Sequence, residues 1–361
     1  MSGGAGDDRM MLDGAATVAH GGEESDVFWI NGGANTVDRT DSGMWVDTAD
    51  FSGVFGRVVV DLGKGTALTI GFRGVVGHTT LTDVEAAFGS GGNDRLVGGA
   101  VANDSIETFK GGDGADTIRG GSGHDVLLSD REGPGAGVTV DLRGHYAIDT
   151  YGNRDLVRGI EEVYATEYTD TLSGNRADNV FHPDGGDDLV NGRGGWDSVT
   201  FFGTGFAGFA GVVVDLKAGT ALGAGSMTLT RIEGVTGSAM GDRLMGKGNA
   251  NILYGGQGDD RISGRHGDDV VAGGGGDDRL LGGLGADVFD FAPGGGRDRV
   301  LDFALGQDQL SLRGYGLVTA KQALAMAVQA HGNTVFTLDD GSQVILCDVL
   351  LADLTPLDFL F

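Results

Sequence analysis

The chain has 361 residues, of which 71 are glycine and one is cysteine, and its formal net charge is -27. A chain this acidic offers no basic patch to phosphates, which argues against a nucleic-acid partner. A lone cysteine, Cys347, excludes an internal disulfide, and no stretch approaches the length of a membrane-spanning helix. Glycine far above the usual ~7% would suit a disordered polymer, but hydrophobic residues make up 40% of the chain and keep strict phase with the glycines.

The first ten residues, MSGGAGDDRM, lack the apolar run of a signal peptide. They open inside a repeat, so either a segment precedes Met1 or the first coil is left open. Gly3–Met11, GGAGDDRMM, is a nonapeptide with Asp8 at position six and Met10 at position eight; Gly21–Trp29 repeats the phase with Asp26 and Phe28, and Asn35 and Val37 continue it. Residues 1–52 form this short, degenerate array.

A longer unit then recurs three times, at 53–88, 131–164 and 203–236. It opens with RVVVDL at Arg57–Leu62, GVTVDL at Gly137–Leu142 and GVVVDL at Gly211–Leu216. The β-branched runs predict strands that continue one parallel stack. Each unit closes on an apolar–acidic pair, Val84-Glu85, Ile160-Glu161 and Ile232-Glu233; recurrence at one place favours a structural role for these glutamates. Between the units lie further arrays. The one at 89–130 holds Asp94, Asp116 and Asp125 at position six, and its break in phase over Gly98–Lys110 predicts a bulge or loop. The one at 165–202 holds Asp170, Asn179, Asp188 and Asp197.

The fourth array, 237–290, is the most regular. It reads GSAMGDRLM, GKGNANILY, GGQGDDRIS, GRHGDDVVA, GGGGDDRLL, GGLGADVFD, with Asp242, Asn251, Asp260, Asp269, Asp278 and Asp287 at position six. Position eight is Leu244, Leu253, Ile262, Val271, Leu280 and Phe289. A fixed short period marks a solenoid. Glycine supplies the positive φ of a tight turn, and one apolar position per repeat implies a short strand with one side chain inward. Two nonapeptides then close a coil of 18 residues, and coils stack as parallel strands roughly 4.8 Å apart. Asp242, Asp260 and Asp278 fall along one edge; Asn251, Asp269 and Asp287 fall along the other. Carboxylates stacked so closely repel unless a cation lies between them, and their hard oxygens suit Ca²⁺.

These nonapeptides resemble the RTX (repeats-in-toxin) family. The resemblance implies an all-β fold, a parallel β-roll or β-solenoid, binding several Ca²⁺ ions between neighbouring coils. It makes the position-six carboxylates ligands: Asp8, Asp26, Asp94, Asp116, Asp125, Asp170, Asp188, Asp197, Asp242, Asp260, Asp269, Asp278 and Asp287. It adds turn carbonyls, here assigned to Gly255, Gly258, Gly264, Gly267, Gly273, Gly276, Gly282 and Gly285. Asn251 departs from the pattern, so an ion there is expected to bind more weakly.

Residues 291–361 read as a small β-rich cap. Asp298, Asp302 and Asp308 allow two readings, one last ion or plain surface acids. Thr319 is placed to cap a helix running through Ala330 and ended by Gly332-Asn333, and Thr334–Leu338 with Gln343–Leu346 reads as a hairpin. The tail Asp358-Phe359-Leu360-Phe361, an acid followed by hydrophobics, resembles the uncleaved C-terminal signal that type I secretion machinery recognises in RTX proteins of Gram-negative bacteria. The alternative is an ordinary last strand.

No catalytic constellation is evident. HExxH and GxSxG are missing, the seven histidines are scattered, and GDRLMGKG at Gly241–Gly248 mimics a phosphate loop but lacks the Ser/Thr after Lys247. The expected function is a secreted, extracellular calcium-binding protein that folds on meeting Ca²⁺ and has no catalysis of its own. Two alternatives stand beside it: the repeat portion of a larger secreted metalloprotease, lipase or alginate epimerase, and an adhesin or membrane-acting accessory protein.

Overall fold

In a computed structural model the structure describes residues 1–13, 16–38, 46–71, 74–99, 106–129, 135–202, 211–223 and 225–361. The protein is all-β, with 49% strand and 5% helix, and divides into two compact units, Met1–Phe181 and His182–Phe361.

In the second unit the nonapeptides do what their period demands. Arg243 pairs with Arg261 and Arg261 with Arg279, all parallel. On the alternate strands Ile252 pairs with Val270 and Val270 with Val288. Each step is 18 residues, so one coil is two nonapeptides and successive strands fall on two opposed sheets. The position-eight residues Leu244, Leu253, Ile262, Val271, Leu280 and Phe289 are at most 1% exposed. Burying each contributes roughly 1.5–3 kcal/mol, and the two facing columns, Leu244, Ile262 and Leu280 on one sheet and Leu253, Val271 and Phe289 on the other, are the core of the coil. In the first unit the same register joins Ser2 to His20, Arg9 to Val27, Val18 to Thr36 and Ile106 to His124. Of the phase break over Gly98–Lys110, residues 100–105 lie outside the described residues, and Ile106–Lys110, where a bulge or loop was expected, is a regular strand parallel to His124–Leu128.

The longer units depart from the expected uninterrupted parallel stack. Each is a three-stranded antiparallel meander spliced into one sheet. In the first unit Arg57–Asp61 pairs antiparallel with Thr66–Gly71, which pairs antiparallel with Gly74–Thr82. The last strand is parallel to Gly33–Asp38 of the preceding coil, and the first is parallel to Arg95–Val97 of the following one. The meander at Thr139–Asp141, Tyr146–Ile148 and Arg154–Arg158 is joined in the same way. So is that at Val213–Asp215, Thr220–Leu222 and Ser226–Thr230 in the second unit. The recurrent aspartate of each opening strand closes the hairpin turn: Asp61 accepts from Lys64 N–H, Asp141 from Gly144 N–H, and Asp215 from Lys217 and Ala218 N–H. The hydrophobic patterning of a meander strand and of a coil strand is alike, so the run of valines alone left the strand direction unspecified.

The cap corrects one element. Thr319 does cap a helix, accepting from Gln322 N–H, but the helix ends at Ala325. Ala327–Ala330 is instead a strand, antiparallel to Asn333–Thr337, and the two-residue turn of this hairpin is His331-Gly332, both with positive φ. Asn333–Thr337 pairs in turn with Gln343–Leu346. Six residues are too few for a helix to persist without packing, and pairing of the alanine-rich segment wins. The tail is a last strand, Phe359 pairing with Leu310. Asp358 is buried, closing a capping box with Thr355 and accepting from Gly306 N–H.

Candidate metal sites

The position-six acids form ladders along the edges of the coils. In the second unit Asp242 N–H donates to Asp260 Oδ1 (2.7 Å), Asp260 N–H to Asp278 Oδ1 (2.8 Å) and Asp278 N–H to Asp298 Oδ1 (3.0 Å). On the other edge Asn251 N–H donates to Asp269, Asp269 N–H to Asp287 and Asp287 N–H to Asp308. Asp298 and Asp308 therefore extend the ladders and are no plain surface acids. Asp302 accepts from Gly282 and Gly283 N–H. In the first unit Asp8 N–H donates to Asp26, Asp26 N–H to Asp47, Asp94 N–H to Asp116 and Asp116 N–H to Asp155. Asp188 and Asp197 are buried at the same position of their repeats.

In each carboxylate that accepts within these ladders one oxygen is thus held by the backbone; the other decides what the site can do. Oδ2 of Asp260, Asp269, Asp278 and Asp287 is buried with no hydrogen-bond partner. Asp8 Oδ2 and both oxygens of Asp125 are in the same condition. Burying a carboxylate oxygen unpaired is costly. Each such Oδ2 in the regular array points into its own turn, where a Cβ on the first glycine would strike it: Gly255 for Asp260, Gly264 for Asp269, Gly273 for Asp278 and Gly282 for Asp287. The carbonyl of Gly273 converges on the Gly255 position and that of Gly282 on the Gly264 position, while those of Gly255 and Gly264 reach the turns of Gly237 and Gly246. Gly258, Gly267 and Gly276 direct their carbonyls at the turns of Gly276, Gly285 and Gly296. Gly285 O is already taken by Gln307 Nε2 at 2.7 Å. Carbonyls at position two, Gly256 and Arg265, also face the next turn, at Gly274 and Gly283; the sequence reading missed these.

Among the described residues no three His, Cys, Asp or Glu side chains converge as a metal-binding group. The donors are instead single carboxylate oxygens and main-chain carbonyls, an all-oxygen set that fits Ca²⁺ and fits poorly the softer metals that prefer nitrogen or sulfur. Burial is the main cause of raised carboxyl pKa values here, followed among charges by neighbouring carboxylates, aspartates in the regular array and Glu107 and Glu161 at Asp125. Asp260 rises to about 8, Asp269 to about 7 and Asp287 to about 6. Asp298 rises to about 8 and Asp125 to about 7.

Three of the expected ligands have other partners. Asp242 receives both N–H and Oγ–H of Ser238, Asp94 those of Ser90, and Asp170 those of Thr166. Their remaining oxygen accepts from the opening strand of a meander, at Val212, Val58 and Val138. Each is the first coil after a meander, and the signal was in the sequence: position two is Ser or Thr where the regular repeat has glycine or arginine. The recurrent glutamates also join the ladders. Asp47, Asp125 and Asp197 N–H donate to Glu85, Glu161 and Glu233. The next rungs after Glu161 and Glu233 are asparagines, Asn179 and Asn251, whose amides donate to the glutamate carbonyls. Beside Glu233, Lys247 Nζ lies 2.7 Å from its carboxylate and 2.7 Å from Ile232 O. There the chain supplies its own cation, which explains the lysine of the false phosphate loop.

The model of the RTX calcium-binding nonapeptide repeat, in 4 copies, matches residues 87–100, 101–131, 159–199, 236–271, 257–289 and 264–300. The chain belongs to the RTX calcium-binding repeat family. Similar solved structures include two subunits of the mannuronan C5-epimerase of Azotobacter vinelandii. AlgE6R3 is 30% identical over 34% of this chain and 78% of that one, with a TM-score of 0.29. AlgE6R2 is 30% identical over 35% and 91%, with a TM-score of 0.30. The extracellular lipase LipA of Serratia marcescens is 16% identical over 56% of this chain and 40% of its own, with a TM-score of 0.27. No curated protein sequence matches the chain. As an RTX repeat protein it binds calcium.

Proposed function

We propose that this RTX protein is secreted and that Ca²⁺ outside the cell drives its folding, without catalysis of its own. The observation that carries the reading is the set of buried, partnerless oxygens on Asp260, Asp269, Asp278 and Asp287, joined in the turns of Asp260 and Asp269 by the main-chain carbonyls of Gly273 and Gly282. Without a cation, folding must bury these charges or protonate them; with Ca²⁺ the same oxygens become ligands, and binding energy becomes folding energy. In calcium-poor cytosol the -27 charge favours an extended chain, which suits passage through a type I channel. The tail supports this order of events. Phe359 is buried in a strand and Asp358 in a capping box, so secretion machinery that recognises this tail must do so before the cap forms.

Far-ultraviolet dichroism of the full chain, titrated with Ca²⁺ and reversed with chelator, tests the coupling. The expected result is a disordered spectrum in chelator and a β spectrum in calcium. Equal folding in both would overturn it.

A further inference from the structure

We infer that the first unit binds a neutral pyranose sugar, in a cleft between the outer face of its coils and a loop of the meander at 139–158. Trp29, Asp50, Phe88 and Lys110 lie side by side on four adjacent parallel strands. Their neighbours Phe28, Ala49, Ala87 and Phe109 are fully buried, so by alternation the four side chains stand on the outside. Asp50, Phe88 and Lys110 line a cleft of ≈ 380 Å³ together with Ser52, Asp113 and Tyr151. That size falls within the range of small-molecule sites, about 300–1,000 Å³. The walls are held in place by the chain itself. Asp50 accepts from Trp29 Nε1 at 2.9 Å and from Ser52 N–H at 2.8 Å. Tyr151 is positioned by Asp149, whose Oδ1 accepts from Tyr151 N–H and Asn153 N–H. Asn153 Nδ2 donates to Asp113 at 2.8 Å, tying the loop to that turn. Ser90, which also lines the cleft, belongs to a turn whose carboxylate, Asp94, it already satisfies. The regular array has no counterpart: its matching row is Thr236, Tyr254 and Ala272, with one ring and no charge.

The lining narrows the occupant. Two aromatic rings, two carboxylates and one ammonium group share one small volume. Carboxylates outnumber the lysine, which disfavours an anion, and the three charged groups disfavour a purely apolar guest. The ammonium group of Lys110 disfavours a bare cation. A pyranose with equatorial hydroxyls suits every kind of group present. Its ring faces carry only C–H bonds, which match the electron-rich faces of Phe88 and Tyr151. Its rim hydroxyls donate to the carboxylates of Asp50 and Asp113 and accept from Lys110, so the bonds on both sides are charge-assisted. Each oxygen of Asp50 already accepts one N–H, which fixes the orientation of the carboxylate and leaves lone pairs for hydroxyl donors. Trp29 stands one strand beyond Asp50, so a longer glucan chain meets a third ring.

The inference goes beyond the folding reading and needs only a closed coil, however that is reached. The test is calorimetric titration of the full chain in calcium with cellopentaose, maltopentaose and glucose, while dichroism monitors the fold. At least one pentaose is expected to bind. A pentaose bound more tightly than glucose supports the site and identifies a glucan chain as the source; equal affinities support it and identify a free sugar. Tyr151→Ala, at a residue 45% exposed, is expected to weaken binding about threefold, and the addition of Phe88→Ala about tenfold in all. Asp113→Asn is expected to cost about threefold. Tyr254→Ala, at the matching place of the regular array, should bind as the wild type does. A folded wild type that binds neither pentaose, or a folded Tyr151→Ala variant with unchanged affinity, would overturn the inference. Tighter binding of trigalacturonate or of glycine betaine than of either pentaose would overturn the assignment to a neutral sugar. A chain that folds equally in chelator would sink the folding reading alone, since the sugar titration would still decide this one.

Discussion

Within the second unit, the rungs of 255–290 and the rung at Asp242 contain the same position-six aspartate and use it in different ways. At Asp260, Asp269, Asp278 and Asp287 one oxygen accepts a backbone N–H from the preceding coil and the other is left alone in a glycine turn. At Asp242 a serine four residues earlier satisfies the carboxylate. One rung on, Lys247 neutralises Glu233 and Asn251 replaces a carboxylate by an amide. Regular rungs leave a carboxylate oxygen unpartnered; at the rungs joining a meander local hydrogen bonds satisfy the carboxylate. In the first unit the capped form recurs at Asp94 and Asp170.

The largest expected difference comes from removing calcium. Chelation should abolish amide protection in 255–290, while the meander Val213–Thr230 is the last part of the unit to lose it; hydrogen exchange read by mass spectrometry checks this, and uniform loss would erase the distinction. Next is the shared core. Leu280→Ala opens a cavity between the two inward columns and should cost about 2–5 kcal/mol, measured by urea denaturation in saturating calcium.

A smaller effect separates the two kinds of rung. Asp260→Asn should remove at least one ion from a calorimetric count and the stabilisation that ion gives, ~2.7 kcal/mol at free calcium a hundredfold above Kd. Asp242→Asn should leave the count unchanged and cost only about 1 kcal/mol of capping. The converse is sharper still: Ser238→Gly uncaps Asp242 and should add an ion.

The pH dependence is the smallest effect. In chelator the folded pKa values of Asp260, Asp269 and Asp287, about 8, 7 and 6, lie above the ordinary 3.8. The folded coil then binds protons more tightly than the unfolded chain, so residual metal-free structure should increase as pH falls from 8 toward 4 and level off below. A dichroism titration showing acid unfolding over that window would contradict it.

Much of this was legible from residue spacing. A nine-residue phase with one apolar position admits one inward column per sheet, so the 18-residue register, the buried leucines and the alignment of Asp260 with Asp278 followed from periodicity alone. What one repeat cannot show is which oxygen of an aspartate is already occupied. In the ladders that depends on a neighbour 18 to 39 residues away, as with Asp278 and its donor Asp260 or Asp155 and its donor Asp116. The valine runs fixed strands but not their direction, because alternation is the same in a coil and in a meander; only pairing with both flanking coils decided it. Thr319 could announce a helix start, yet its end was set by tertiary pairing of Ala327–Ala330. Arg243, Arg261, Arg279 and Arg299 are visible in the letters as GDR, DDR, DDR and RDR, and came to lie in a row only when parallel register stacked them.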